Sequence, residues 1–405
     1  MPDSPVTATD PEGLGFSAER LARITSLYQE RIEGGDLPGA VVAIARSGKL
    51  AYLKAIGFQD RGRTIPMRPD TIFWIASMTK PVTSVAAMTL VEDGKIELDA
   101  AVSRYLPELA SMQVATEVTD PATGRTKLVL AEQKRPMTVR DLLRHTSGLV
   151  YPPQYIDSTL HRLYGGAVFT RDTTLADFVA SLGKLPLVHQ PGEVWEYSWG
   201  VDVLARVVEV GSGRPFDEYL QSRIFGPLDM IDTGFYVPEA QLGRLADPAP
   251  EGRSALWDVT KPARLFSGGG GLVSTAIDYM RFCQMMLGRG ELGGERVLSP
   301  ETVRLMTTNS LSPGVRFAQD MIGPAAGATW GLGFAIRTGA GSSVLPGSNG
   351  SFAWGGVWGT SFWVDPVEKL IAVQMIQVNP NDPNPSTALG DLTYDALGRR
   401  YRDAH

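Results

Sequence analysis

Apolar positions near the start of the chain predict a helix followed by a β-hairpin. Residues 18–32 place apolar side chains three or four positions apart, which is the spacing of an amphipathic helix. Gly34 and Gly35 follow and are expected to end that helix. Segment 39–49 is mostly apolar and is typical of a buried strand that runs into a Ser-Gly turn. Segment 50–58 is its predicted hairpin partner.

The end of the chain carries a second block of predicted strands. Apolar and aromatic residues alternate there with glycine and proline, and Asp365-Pro366 marks a turn before the last strand. A closing helix is predicted around Thr387–Arg402. The predicted strands are 331–337, 350–356, 359–365 and 369–377.

The middle of the chain is patterned differently. Four segments with helical spacing, separated by loops rich in proline and glycine, are 138–146, 173–183, 200–211 and 216–225. Because strands lie at both ends and helices lie between, we predict an α/β fold of the α+β type. One mixed sheet would be built from both termini and flanked by helices, with a helical domain inserted in the middle.

This pattern divides the chain into two structural parts. Residues 1–100 and 255–405 are predicted to form the α/β domain, and residues 101–254 the mostly helical domain. A ligand-binding cleft is expected between the two parts. The length of 405 residues agrees with two or three structural units.

Composition excludes several classes of function. With 43% hydrophobic and 20% charged residues, the chain can bury a large core. Its net charge of −6 and the lack of a dense basic cluster argue against nucleic acid as a partner. No apolar stretch approaches the roughly 18 residues of a membrane span, so no membrane partner is expected. The N-terminal residues lack the pattern of a signal peptide, and we therefore expect a cytoplasmic protein.

Metal and disulfide chemistry are not expected either. Cys283 is the single cysteine, so neither an intrachain disulfide nor a thiolate-based zinc site can form. The four histidines are scattered, with no pair at metal-ligand spacing. We therefore expect an activity that uses no metal and no cofactor.

The candidate chemistry starts from serine. No strict G-x-S-x-G sequence is present, which argues against an esterase with a nucleophile elbow. The spacing S-x-x-K occurs twice, and so short a pattern has little weight without its context. Ser77 is predicted at the start of a long apolar helix, which places Lys80 one turn later on the same face. Ser181 precedes Lys184 near the far end of its helix, where the helix dipole has the wrong sign for an oxyanion.

A helix N-terminus suggests how a serine and a lysine could act together. Free N–H groups and the positive end of the dipole disfavour Lys80 as an ammonium, and a neutral lysine can take the serine proton. Tyr197, directly before a predicted helix, is a candidate for relaying the proton to a leaving group. Taken singly, Ser77 could instead be a helix cap, and Tyr197 a packed aromatic.

The order of four motifs resembles a known superfamily. S-x-x-K occurs at 77–80, H-T-S-G-L at 145–149, P-G-x-x-W-x-Y-S at 191–198 and W-G-G at 354–356. Over roughly residues 15–400 the chain resembles the serine β-lactamases and penicillin-recognising hydrolases. Within them it is most similar to the family VIII carboxylesterases, which share the class C β-lactamase fold. The resemblance implies a β-lactamase/transpeptidase-like fold.

The resemblance also implies a role for each matched residue. Ser77 would be the acylated nucleophile, and Lys80 would assist its deprotonation. Tyr197 would act as general base and general acid. The backbone N–H groups of Ser77 and Val357 would form the oxyanion hole. The strand that matches the family's K-T-G motif, and would bind substrate, consists of Trp354, Gly355 and Gly356.

Two positions depart from the family's pattern. The Y-x-N motif reads Tyr197-Ser198-Trp199, without the asparagine, and Trp354 replaces the K-T-G lysine. Loss of that cation is expected to weaken binding of β-lactam and peptide carboxylates, whereas an apolar indole suits neutral acyl esters. Further aromatic residues could line the cleft, although each is individually more typical of a core: Tyr151, Tyr155, Trp195, Trp199 and Trp358.

These residues together predict a serine carboxylesterase that hydrolyses short-chain carboxylic esters through a covalent acyl-enzyme. Its expected partner is the small-molecule ester, and the sequence leaves the oligomeric state open. One alternative is an acyltransferase of the same fold, which would pass the acyl group to an alcohol or amine. A β-lactamase or D-amino-acid peptidase is a second alternative, disfavoured by the missing lysine and asparagine. Retention of Ser77, Lys80 and Tyr197 argues against a third, a non-enzymatic sensor or scaffold.

Overall fold

The strands form one large sheet and four short pairs within the part of the chain that the structure describes. The structure is a computed structural model and describes residues 10–154, 156–248, 258–339, 343–380, 382 and 384–398. In chain order the strands are β1 (Gly39–Arg46), β2 (Lys49–Gly57), β3 (Phe73–Trp74), β4 (Val114–Thr119), β5 (Thr126–Ala131), β6 (Val194–Trp195), β7 (Val273–Ser274), β8 (Glu291–Leu292), β9 (Glu295–Arg296), β10 (Arg316–Phe317), β11 (Ala328–Trp330), β12 (Ala335–Arg337), β13 (Phe352–Gly355), β14 (Ser361–Asp365) and β15 (Leu370–Met375).

The helices surround this sheet and fill the middle of the chain. In chain order they are α1 (Ala18–Glu33), α2 (Thr79–Glu92), α3 (Val139–Leu143), α4 (Thr159–Tyr164), α5 (Leu175–Leu182), α6 (Gly200–Ser212), α7 (Phe216–Leu220), α8 (Ala276–Leu287), α9 (Pro300–Met306) and α10 (Ser386–Ala396). A 3₁₀ turn, Ala76–Met78, directly precedes α2, and a π-helical turn, Gln221–Phe225, continues α7. No helix in the described ranges is long and apolar enough to cross a bilayer.

The large sheet joins the two ends of the chain. Its strand order is β11-β12-β13-β14-β15-β1-β2, and all neighbouring strands in it are antiparallel. The late strand β15 pairs directly with the early strand β1, from Val41 opposite Met375 to Arg46 opposite Leu370. The predicted sheet built from both termini is therefore confirmed, although its strands are all antiparallel and it is not a mixed sheet.

Helices cover both faces of this sheet. Side chains alternate along β1, so Ala40, Val42 and Ile44 join the core that contains α1 and α10. The residues between them belong to the larger core that contains α2 and α8. The α+β architecture predicted from the pattern is confirmed in this arrangement of a central sheet between helices.

The first hairpin follows its sequence closely. The helix predicted over 18–32 is α1, and the strands predicted on either side of the Ser-Gly turn are β1 and β2. Ser47 and Gly48 have φ angles of 50° and 78°, which is the left-handed geometry that a two-residue hairpin turn needs.

Three other segments differ from the pattern. The strand predicted from residue 331 begins at Ala335, because Gly333 has a φ of 97° and turns the chain first. Strands β4 and β5 form a largely exposed hairpin that was not among the predicted elements. The closing helix spans Ser386–Ala396, and residues 399–402 of its predicted range lie outside the described residues.

The two predicted domain boundaries stay predictions. The boundary at 100/101 falls between α2 and the 3₁₀ turn Val102–Arg104. The boundary at 254/255 lies outside the described residues. Helix α3 is shorter than its predicted range because His145, with a φ of 57°, leaves the helical conformation.

Candidate active site

Ser77 lies in a sharp turn between a strand and a helix. Strand β3 ends at Trp74 and is held against β7, and the 3₁₀ turn that carries Ser77 leads straight into α2. Ala76, the residue before the serine, has a φ of 43°, a left-handed conformation that costs a non-glycine residue free energy. The Tyr279 hydroxyl, from α8, donates to the Met78 carbonyl at 2.8 Å and fixes the turn from the other side.

Lys80 is buried and contacts the serine hydroxyl. Its Nζ lies 3.1 Å from the Ser77 Oγ and donates to the Gly269 carbonyl at 2.6 Å. Burial lowers the pKa of Lys80 to about 7, and the negative charge of Asp202 opposes that shift. The sequence suggested the helix dipole as the cause, but the structure points to removal of the amine from water. Near neutral pH a substantial fraction of this amine is unprotonated and can accept a proton.

Tyr197 lies on the other side of the amine. The Lys80 Nζ is 4.5 Å from the centre of the Tyr197 ring, and the Trp354 indole Nε1 donates to the Tyr197 hydroxyl oxygen at 3.2 Å. An N–H aimed at a phenol oxygen stabilises negative charge on that oxygen. Trp354 therefore supplies a donor, and not only apolar surface, at the position where the family's pattern has a lysine.

Tyr197 is held by its buried neighbours. The Glu196 carboxylate accepts hydrogen bonds from the Nε2 atoms of His161 and His189, each at 2.6 Å. Burial raises the pKa of Glu196, but these two donors outweigh it and bring the pKa below its usual value. The His145 ring centre lies 4.8 Å from that of Tyr197.

Within the described residues, no group of His, Cys, Asp and Glu is arranged to hold a metal ion.

Trp199, at the position of the missing asparagine, completes an aromatic cluster. Its ring stacks on Phe169 with centroids 5.5 Å apart and meets Phe178 edge-on at 5.2 Å. Tyr151 lies 5.6 Å from Trp199 and 5.5 Å from Tyr197. An amide at this position would replace the ring that these aromatics pack against.

Ser77 and Val357 both line one cavity. Strand β13 ends at Gly355, and a Cβ at Gly356 would lie 2.5 Å from the Ile75 carbonyl oxygen, so only glycine lets the strand end approach the serine turn. The Thr360 hydroxyl ties the two segments together by donating to that carbonyl at 3.2 Å. Neither the Ser77 nor the Val357 N–H donates to another residue in the described ranges. Both are available to an anionic oxygen.

The cavity beside Ser77 has a volume of about 250 Å³. Trp74 and Trp358 form one wall, with ring centres 5.4 Å apart. Four aromatic residues already described also line it, and Lys, Arg and His are absent from the described lining residues. Trp354, Gly355 and Gly356 are not among those lining residues either. The lining consists of Trp74, Ala76, Ser77, Tyr151, Gln154, Phe169, Tyr197, Trp199, Asp202, Ser267, Gly269, Gly270, Val357, Trp358 and Pro380.

The remaining aromatic candidates separate into lining and core. Tyr151, Trp199 and Trp358 line the cavity, whereas Trp195 is completely buried in a neighbouring cluster. Tyr155 lies outside the described residues. A larger cavity of about 580 Å³ lies between α7 and residues 231–238 and is lined by none of Ser77, Lys80 and Tyr197.

The second S-x-x-K serine has a structural explanation. The Ser181 hydroxyl donates to the Phe178 carbonyl at 2.7 Å and accepts from the Val168 N–H at 3.0 Å. Its oxygen therefore completes hydrogen bonds around the end of α5. This agrees with the interpretation of Ser181 as a chance match to the motif.

Sequence reasoning missed Asp202 and the glycine-rich loop 267–271. Asp202 lies near the start of α6, and its Oδ1 accepts from the Ser267 hydroxyl at 2.5 Å and the Gly269 N–H at 3.0 Å. The sequence does carry a signal for this loop, the run Ser-Gly-Gly-Gly-Gly. Consecutive glycines indicate a place where another group approaches the backbone closely.

Comparisons with known proteins find relatives in sequence and in structure. The sequence profile of the family described as Beta-lactamase matches residues 24–393. The protein Rv1367c of Mycobacterium tuberculosis is 37% identical, over 87% of this chain and 89% of its own. Esterase EstB of Burkholderia gladioli is 32% identical, over 88% of this chain and 90% of its own. The solved structure of EstCE1, described as a hydrolase with promiscuous acyltransferase activity, has a TM-score of 0.72 at 28% identity, covering 94% of this chain and 98% of its own.

Proposed function

Because the chain belongs to the beta-lactamase family, we propose that it is a serine carboxylesterase that hydrolyses short-chain carboxylic esters through an acyl-enzyme on Ser77. The kinship with esterases of this fold, predicted from the four motifs, is confirmed by the match to EstB. The observation that carries the proposal is the contact between the Ser77 hydroxyl and the buried Lys80 amine, beside Tyr197 and at the edge of an aromatic cavity.

In the proposed acylation step, the Ser77 oxygen bonds to the ester carbonyl carbon while its proton passes to the neutral Lys80 amine. The N–H groups of Ser77 and Val357 stabilise the resulting oxyanion, each by about 3 kcal/mol. The bond to the alcohol oxygen then breaks, and that oxygen takes its proton from Tyr197. Lys80 returns its proton to Tyr197, so the amine and the phenol end in their starting states.

Deacylation uses the same groups in the opposite direction. Tyr197 first passes its phenol proton to the neutral Lys80 amine, and the phenolate oxygen then takes a proton from a water molecule as the water oxygen attacks the acyl carbon. The phenolate character that Tyr197 develops is stabilised by the Trp354 indole N–H. The bond to the Ser77 oxygen breaks, the serine regains its proton by way of Lys80, and the carboxylic acid leaves.

The lining of the cavity supports a neutral substrate. Much of the lining is aromatic, and no basic side chain is among the described lining residues to pair with a carboxylate. The Lys80 amine is not among the lining residues either. It already interacts with the charge of Asp202 and donates to the Gly269 carbonyl, so it is not a free cation for a substrate carboxylate. A volume of about 250 Å³ holds a small acyl group and a small alcohol.

One set of assays tests the proposal. Nitrophenyl esters from C2 to C12 should be turned over, with the highest kcat/KM for the short acyl chains, while nitrocefin should react far more slowly. A serine-directed fluorophosphonate should add its mass to the peptide that contains Ser77. Ser77→Ala should abolish both reactions, and the matched variant Ser181→Ala should leave turnover within about twofold of wild type, since Ser181 only closes a helix end. Loss of activity in Ser181→Ala alone would refute the choice of nucleophile.

Acyl transfer is the second candidate function. EstCE1 is described as a hydrolase with promiscuous acyltransferase activity. The aromatic side chains that line the cavity here favour an apolar alcohol over water as the group that meets the acyl-enzyme. Adding butanol or benzyl alcohol to the ester assay distinguishes the two activities. A main product that is the new ester would make transfer the principal reaction, and a main product that is the free acid would support hydrolysis.

A further inference from the structure

Asp202 is a buried carboxylate that the proposed reaction steps do not use. It lies near the start of α6, five positions after Tyr197, and only 1% of it is exposed. Its Oδ1 accepts from the Ser267 hydroxyl and from the Gly269 N–H. Burying a carboxylate among so few donors is costly unless a positive charge lies nearby.

The glycine-rich loop connects this carboxylate to the Lys80 amine. Gly269 donates its N–H to Asp202 and accepts the Lys80 Nζ at its carbonyl, 2.6 Å away. A Cβ at Gly269 would overlap the Asp202 carboxylate, so the loop packs directly against it. The Thr83 hydroxyl holds the preceding peptide by donating to the Gly268 carbonyl at 2.8 Å. The position of Asp202 therefore fixes the acceptor that orients Lys80.

Asp202 also supplies the charge that faces the amine. Its negative charge raises the pKa of Lys80 against the larger effect of burial, and the Lys80 charge in turn lowers the pKa of Asp202 against its burial. The other groups facing the amine are the rings of Tyr197 and Tyr151 and the imidazole of His145. Burial and the Lys80 charge both lower the pKa of His145, which disfavours a second cation there.

We propose that Asp202 is a positioning residue for Lys80, holding the Gly269 carbonyl to which the amine donates and supplying the counter-charge of the buried amine. This inference rests on the proposed function, in which neutral Lys80 accepts the Ser77 proton. It explains the presence of an acidic side chain and a glycine-rich loop in the lining of a cavity whose proposed substrate needs neither. Asp202 acts through Lys80 and makes no bond to the ester.

Asp202→Asn separates the charge from the hydrogen bonds. The asparagine Oδ1 can still accept from Ser267 and Gly269, so the loop keeps its acceptor while the negative charge is lost. Without that charge the amine loses its proton more easily, because an opposite charge within 4–6 Å favours the charged form. The acid limb of the kcat/KM profile for nitrophenyl acetate should therefore shift to lower pH, by about 1 unit or more.

Asp278→Asn is the matched control. Asp278, in α8, is also a buried carboxylate, and its Oδ2 accepts from the Asp232 N–H and the Thr233 hydroxyl. Burial raises the pKa of Asp278 to about 6, and Lys80 is not among its charged neighbours. This variant should leave the acid limb where it is in wild type. An unshifted limb in folded Asp202→Asn, or an equal shift in both variants, would overturn the inference.

Ser267→Ala keeps the test available if Asp202→Asn does not fold. It removes one donor from the Asp202 carboxylate and leaves its charge in place, so that charge acts on Lys80 at least as strongly as before. The acid limb should stay or move to higher pH, and kcat should fall as the loop loosens. A shift to lower pH in Ser267→Ala would contradict the proposed role of the charge.

A second readout distinguishes this inference from the proposed function. The rate of Ser77 labelling by a fluorophosphonate, followed by intact mass against pH, needs serine activation but no ester turnover. In one outcome, wild type is labelled, the labelling profile of Asp202→Asn lies at lower pH, and no ester is hydrolysed. That outcome would support the role of Asp202 and refute the esterase. Ester hydrolysis and labelling without the shift would refute the role of Asp202 alone. A wild type that neither labels nor hydrolyses esters would overturn both.

Discussion

At the scale of single residues, the state of one buried amine controls the proposed chemistry. Burial lowers the pKa of Lys80 to about 7 against the opposing charge of Asp202. The neutral amine is the form that accepts the Ser77 proton, so activity should be lost as the pH falls through about 7 and retained above it. The measurement is kcat/KM for nitrophenyl acetate from pH 5 to 9. A profile that rises only toward the ordinary lysine pKa would show that burial does not lower the pKa of this amine.

A second residue-scale prediction concerns the Trp354 indole. The sequence suggested that Trp354 is an apolar wall for substrate, but the structure shows its Nε1 donating to the Tyr197 hydroxyl oxygen. Trp354→Phe keeps an aromatic ring and removes the donor. We expect kcat to fall about tenfold with a much smaller change in KM, because a hydrogen bond to a developing anion is worth roughly 1.5–3 kcal/mol.

The same pair of residues provides the control. Tyr197→Phe removes the proton-relaying oxygen and should lower kcat by about 10²–10⁴ without changing the circular dichroism spectrum. If Trp354 acts through that oxygen, adding Trp354→Phe to Tyr197→Phe should cause almost no further loss in kcat. Two independent losses that multiply would instead assign Trp354 to substrate binding.

At the scale of elements, close approach of backbones positions the site. A Cβ at Gly356 would overlap the Thr360 hydroxyl and lie 2.5 Å from the Ile75 carbonyl oxygen. Gly356→Ala should therefore push the end of β13 away from the serine turn and move the Val357 N–H out of the proposed oxyanion hole. We expect kcat to fall by about 10²-fold, as for loss of one oxyanion donor, together with a lower Tm.

Gly243→Ala is the matched control for this effect. Gly243 lies in the 3₁₀ helix Glu239–Arg244, and a Cβ there meets no heavy atom within 4 Å. The same change of one methyl group should leave kcat near the wild-type value and the Tm almost unchanged. An equal loss in both variants would mean that the strand end is not held by this contact.

The limits of sequence reasoning are also visible at this scale. The hairpin β1–β2 was predictable because a buried apolar run and a two-residue turn are local signals. Strand β11, of three residues, is too short to show alternation, and β4 and β5 are exposed and lack an apolar face. Strands that are very short or largely exposed leave little trace in their own sequence, because the β pattern reflects a half-buried surface.

The site residues also divide into those with a local sequence signal and those without one. Ser77, Lys80 and Tyr197 belong to motifs with short spacing, and the structure brings the three side chains together. Asp202 and Gly269 approach Lys80 from distant parts of the chain, so no spacing predicted them. The cause of the Lys80 pKa shift was likewise missed, because burial is a property of the packed molecule and the helix dipole is a local one.

At the scale of the whole molecule, the fold places the site where distant segments meet. Pairing of β15 with β1 brings residues near 375 beside residues near 41, and β13 in the same sheet carries the chain to Val357. Ser77 comes from the early part of the chain and Tyr197 from its middle. Together with Val357 they line one cavity. The two N–H groups of the proposed oxyanion hole therefore come together only through the pairing of the large sheet.

The charge of the molecule leads to a prediction about substrate choice. The chain has a net charge of −6, and no basic residue is among the described residues that line the cavity. A mono-nitrophenyl ester of succinic acid should therefore have a kcat/KM at least about tenfold below that of nitrophenyl butyrate, since its carboxylate finds no unpaired cation. Trp354→Lys should narrow this difference, and it should also lower turnover of the neutral ester because a second cation then lies near Lys80. Both ratios can be measured at low and high salt, where any long-range repulsion by the net charge is screened. A wild-type preference for the anionic ester would contradict the expected neutral substrate. A preference for nitrocefin over every ester tested would reject the esterase in favour of a β-lactamase or D-amino-acid peptidase.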